Sequence, residues 1–154
     1  MTTVPDVRDL MNQLMAHALT SGLFESVNGH ESDNAPGDGI SATFLMNTVD
    51  PIPEKSGLDV TSLGVDVLLR LQMNLQHEPQ DDIDMLLGNA AVAMIAAYSG
   101  AFSLEGEAMM IDLVGTRNLA ARFGYLLKRA GSTDYRIVEM HIPVIFADVI
   151  DQEA

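Results

Sequence analysis

Cysteine and tryptophan are absent from this chain of 154 residues, and bases are scarce, with 8 Lys and Arg against 22 Asp and Glu. The lack of cysteine removes structural disulfides, thiolate zinc sites, iron–sulfur clusters and a cysteine nucleophile together, and leaves the compartment open. A net charge of −14 and a pI near 4.3 oppose a surface that grips nucleic acid through its phosphates, which needs clustered Lys and Arg. Long apolar runs are lacking too. The most apolar segment, Ile83 to Tyr98, spans about 16 residues and contains Asp84, Gly88 and Asn89, short of the roughly 20 that a membrane span requires. Met1 to Asp6 has no basic stretch leading into an apolar one, so no secretory signal and no membrane partner are expected.

What is present is ordered apolar pattern. Hydrophobic residues make up 47% of the chain and the mean hydropathy is +0.15, which separates this acidic sequence from a disordered one. The length suits a single domain over residues 1–154. Val7, Leu10, Met11, Leu14, Ala18 and Leu19 form one stripe of a helix predicted over 5–21, with Pro5 near its start and Asp6 and Asp9 in its first turn. A short strand, Leu23 to Val27, runs into the turn signal Asn28-Gly29, and an exposed acidic loop is expected over about 28–39.

Ile40 to Val49 alternates as a half-buried strand, which the two prolines of Asp50-Pro51-Ile52-Pro53 should break, opening a Pro-rich loop over about 50–61. The clearest alternation runs from Leu63 to Leu75, a ribbon of about 40 Å that must bend or overrun a core of this size. Asp81, Asp82 and Asp84 then mark the start of a helix. It continues to Tyr98 with apolar side chains on nearly all sides and many small alanines, and reads as a buried central helix. Glu107 to Val114 is a predicted strand. Residues 117–130 fit helix and strand patterns alike, with a strand from Arg122 to Arg129 favoured. The closing strand carries Val138, Met140, Ile142, Val144 and Phe146 on one face and Glu139, His141 and Pro143 on the other. Pro143 confines it to an edge or to a place where one ladder bond is absent. The order of elements gives an α+β fold, an antiparallel or mixed sheet with two main helices packed on one face.

Catalytic patterns are weak. His17, His30, His77 and His141 share no metal-ligand spacing, and the Asp81-Asp82-Ile83-Asp84 run lacks the register of a calcium loop. Gly37-Asp38-Gly39-Ile40-Ser41-Ala42 has the letters of a dinucleotide fingerprint but precedes a strand instead of opening a helix. Neither a nucleophile elbow nor a P-loop is present, and no catalytic, cofactor-binding or metal residue is nominated. Charge is segregated: residues 25–116 hold 15 acids and 2 bases, residues 117–136 hold 5 bases and 1 acid. Such a basic island is either a solvated hairpin or the surface that meets an acidic neighbour, with Arg122, Lys128, Arg129 and Arg136 on one side and Asp50 and Asp66 on the other.

The helix Asp6 to Leu19, the strand Ile40 to Val49 ending in Asp50-Pro51, the long strand Leu63 to Leu75, the helix Asp81 to Ser99 and the hairpin from Gly124 to Val144 together resemble the tail terminator family of long-tailed bacteriophages. The likeness is greatest to terminators of phages infecting actinobacteria, and it covers nearly the whole chain. It implies a non-enzymatic virion protein without cofactor, found in the host cytoplasm during assembly and then in the neck, at the head-proximal end of the tail. There a homo-oligomeric ring, a hexamer in the family, would bind the major tail tube protein, stop tube polymerisation and present a surface to the head-completion protein. DNA would pass through the lumen without specific binding. Other expectations are a neck or head-completion connector of similar fold, a small-molecule enzyme, or a host-directed binding protein.

Overall fold

A computed structural model describes residues 6–30, 39–52, 60–101, 104, 109–111, 121–126 and 135–151. Helix α1 (Val7–Thr20) is followed by strands β1 (Ser26–Asn28), β2 (Ser41–Pro51) and β3 (Val60–Asn74). Helix α2 (Ile83–Ala96) comes next, then β4 (Met109–Ile111), β5 (Arg122–Leu126) and β6 (Tyr135–Asp151). A short 3-10 turn, Gln80–Asp82, leads into α2, and a π turn, Ala97–Ala101, ends it. The fold is α+β. Most of the loops expected at 28–39 and 50–61, and residues 127–134 of the basic hairpin, lie outside the described residues.

The sheet order is β1-β2-β3-β6-β4, with β5 paired to the same edge of β6 further along. β1 runs parallel to β2 and every other pair is antiparallel, so the sheet is mixed. Register places Ala42 and Phe44 of β2, Val65, Val67, Leu69, Leu71 and Met73 of β3, and Val138, Met140, Ile142 and Val144 of β6 on one face. All are buried there against Leu10, Leu14 and Ala18 of α1 and Ile83, Leu87, Ala90, Ala91 and Met94 of α2. α1 lies over β1 and β2, α2 over β3 and β6. The two helices therefore share one side of the sheet, and each fully buried large aliphatic side chain contributes about 1.5–3 kcal/mol.

Local chemistry sets the ends. Asp6 caps α1 by accepting from the Arg8 amide at 2.9 Å. Gly22, at φ +75°, takes the left-handed turn after the helix that a side chain would resist.

Several expectations are corrected. β2 does not stop at Val49: it continues through Asp50 and Pro51, paired with Gly64 and Leu63. β1 sits at Ser26–Asn28, later than Leu23 to Val27. β6 is interior, so Pro143 is not on an edge strand; it falls between the stretch paired to β4 and the stretch paired to β5, which fits the other expectation, a missing ladder bond. The ambiguous 117–130 region contains a strand, β5, in its described part. Finally, α2 is not a buried central helix. Its inner side is sealed, with Leu87 at 0% exposure, but Met85 is 66% and Val92 65% exposed. A two-layer fold gives a helix only one neighbouring layer.

Candidate functional site

The face of the sheet turned away from the helices carries a polar cluster built by register. A bulge between Met46 and Thr48 adds one residue to β2, and bulges of this kind re-aim side chains. The extra residue, Asn47, donates from Nδ2 to Asp66 Oδ2 at 2.7 Å. His141 of β6 approaches the same oxygen through Nδ1, also at 2.7 Å. An ionised carboxylate has only acceptors to offer, so the ring nitrogen is the donor. The Asp66 side chain is 5% exposed, and two donors on one oxygen offset the cost of burying it. One row along, Arg70 of β3 faces Glu139 of β6 at 3.8 Å, a cross-strand pair of opposite charge.

An acid holding a histidine is half of a hydrolytic arrangement. The other half is a nucleophile within reach of the ring. On that face the register neighbours of His141 are Leu68 across the ladder and Glu139 and Pro143 along the strand. The cluster is a polar clamp that ties β2, β3 and β6 together through Asn47, Asp66 and His141. Among the described residues no group of three or more His, Asp or Glu is disposed to hold a metal ion.

A second cluster lies on the helix side at the start of α2. Arg136 of β6 donates from Nε to Asp84 Oδ1 at 2.8 Å and from Nη2 to Oδ2 at 3.3 Å, and its Nη1 reaches the Gly124 carbonyl at 3.3 Å. Its guanidinium also stands 4.4 Å from the Tyr125 ring centre and 5.3 Å from that of Phe123. The hydrogen bond from Arg136 holds the Asp84 carboxyl below the usual range against a small opposing effect of burial. Leu75, Gln80, Asp81, Ile83, Asp84, Tyr125 and Arg136 line a cleft of about 470 Å³ here. At the other end of α2, the His17 ring packs 5.7 Å from that of Tyr98, centre to centre, and burial lowers the histidine's pKa and raises the tyrosine's.

The expected interface residues therefore have different fates. Arg122 and Asp50 are exposed. Asp66 is buried in the polar clamp and Arg136 is engaged by Asp84, so neither is a free surface charge. Lys128 and Arg129 lie outside the described residues. Charge counting missed the exposed apolar surface: Met85, Leu86, Val92 and Ile95 on α2, with Phe123 and Tyr125 on β5. Its signal was in the sequence, since residues 85–98 hold no charged side chain at all. No helix among the described residues is long and apolar enough to cross a membrane. The chain matches no protein-family model and no curated protein.

Proposed function

We propose that this chain is a self-associating structural subunit that works as the tail terminator of a long-tailed bacteriophage. In this reading a ring of copies, a hexamer by family resemblance, closes the head-proximal end of the tail tube, stops its growth and receives the head-completion protein. The observation that supports self-association most directly is the set of apolar side chains on the outer side of α2, with Met85 and Val92 about two thirds exposed. Apolar surface concentrated in this way marks a contact surface. The long ribbon formed by β2, β3 and β6 supports it too, since β3 and β6 run 15 and 17 residues, well beyond an ordinary strand. A net charge of −14 suits a conduit that repels DNA and lets it slide.

The test is to add purified protein to tail tube protein as it polymerises and to image the tubes by electron microscopy. The expected result is shorter tubes with extra density at one end. In intact particles, labelled protein should lie at the head-proximal end of the tail. Density on the head side of the joint, without any effect on tube length, would make the chain a head-completion connector instead. Tubes of unchanged length and bare ends would overturn the terminator reading.

A further inference from the structure

We propose that β5 is a strap that opens ahead of the rest of the sheet, and that the pair of Arg136 with Asp84 is the latch that holds it closed. The contacts involved lie within one chain, so the strap holds or fails independently of the terminator reading. β5 is lightly fastened. Among the described strands it pairs with β6 alone, it buries none of its five residues, and Arg122, Phe123 and Tyr125 are exposed. Gly124 at its centre brings no side chain to the packing, which weakens a strand. Segments with few buried apolar contacts are the ones that open first.

What fastens the strap converges on one side chain. Tyr125 faces Arg136 across the ladder, and the guanidinium stands against the rings of both Tyr125 and Phe123 while Nη1 donates to the Gly124 carbonyl. The same guanidinium is forked onto Asp84 in the first turn of α2, with Nε on one oxygen and Nη2 on the other. Three consecutive residues of β5 are therefore held by a group that a helix keeps in place. The Arg136 side chain is 16% exposed and that of Asp84 61%, so the arginine stays packed while its counter-charge is open to water and salt. Loss of the Asp84 charge leaves the guanidinium without its charged partner, and its contacts to Phe123, Gly124 and Tyr125 loosen together.

β6 itself is not released, because on its other edge Tyr135 to Glu139 pair with Asn74 to Arg70 of β3. Opening bares the edge of β6 from Tyr135 to Glu139 and the flank of α2 at Gly88, beside which the Phe123 ring lies. A bare edge is a template for an added strand, so the latch governs when this edge is open to an extended segment of a partner.

The test is amide hydrogen exchange on the full-length chain, at a concentration where it sediments as a monomer. In the parent the β5 amides are expected to exchange at least about a hundredfold faster than the paired amides of β3. Asp84→Asn keeps the size and removes the charge; it should speed β5 by a further factor of about three to ten, the loss of a forked ion pair with one exposed partner, and leave β3 unchanged. Raising the salt from about 20 mM to about 500 mM screens the same pair in the parent and should move β5 in the same direction without a substitution. β5 amides as slow as those of β3, or unmoved by both changes, would overturn the strap. An acceleration that β3 shares equally would also overturn it, since the pair would then be part of the common fold and no latch.

Discussion

The two sides of α2 are expected to respond very differently to truncation. Leu87 is at 0% exposure and belongs to the core cluster under the sheet, whereas Val92, five residues on, is 65% exposed. Leu87→Ala removes buried methyl groups and leaves a cavity, a change that costs about 3–5 kcal/mol in packed cores. For a chain of this length each kcal/mol moves Tm by about 2–4 °C, so the expected drop is about 6–20 °C. Val92→Ala removes two carbons worth about 1.6 kcal/mol when fully buried, of which about one third, or 0.5 kcal/mol, applies at this exposure. Alanine's better helix propensity returns about 0.5 kcal/mol, so the net effect on the isolated subunit is about zero. Both variants are compared with the parent by urea denaturation at a concentration where the chain sediments as a monomer. A cost above about 1.5 kcal/mol for Val92→Ala would mean that the subunit itself buries this face, which would refute the two-sided account of α2.

Three further outcomes are expected. Burial beside Tyr98 lowers the pKa of His17, so the unfolded chain takes up the proton first; stability is fullest above about pH 6.5 and falls on acidification, and comparing denaturation midpoints at pH 7 and pH 5 should show a smaller drop in His17→Gln. Asp66→Ala removes a buried acceptor shared by Asn47 and His141 and should cost about 1.5–3 kcal/mol in denaturation; a loss under about 0.5 kcal/mol would mean that the clamp is decorative. Changing Lys128 and Arg129 together to Gln should weaken assembly, measured by sedimentation at low salt, and leave the denaturation midpoint of the monomer in place. Unchanged assembly would make the basic island ordinary surface.

Elements governed by local periodicity were readable in the sequence. The apolar stripe of α1 and the alternation of β3 carry their structure in spacing alone, and both stand within a few residues of expectation. Strand ends were less readable because pairing overrides local signals. Asp50-Pro51 looks like a break, yet an antiparallel partner holds β2 in register through Pro51. The polar clamp was beyond reach for a different reason. Asp66 and His141 are separated by 75 positions, and their contact depends on which strands are neighbours, on register and on a one-residue bulge at Asn47. Asp84 and Arg136 repeat the lesson across 52 positions: Arg136 counts toward a basic island in the sequence, but it is already engaged in the fold. Net charge along a chain does not distinguish charges turned outward from charges paired within.

α2 shows how composition and architecture must be read together. The uncharged and largely apolar run over residues 85–98 asks for apolar neighbours on most sides of the helix, without stating where those neighbours come from. A three-layer fold would supply them from one chain. Here both helices lie on the same face of the sheet, so the sheet covers Leu87, Ala90, Ala91 and Met94, and no further layer among the described residues covers Met85 and Val92. In the reading proposed above, a neighbouring copy supplies that layer. The end of β2 carries a second exposed apolar pair, Met46 and Val49. The exposed apolar patches, more than the segregated charges, are what support the proposal that the chain self-associates.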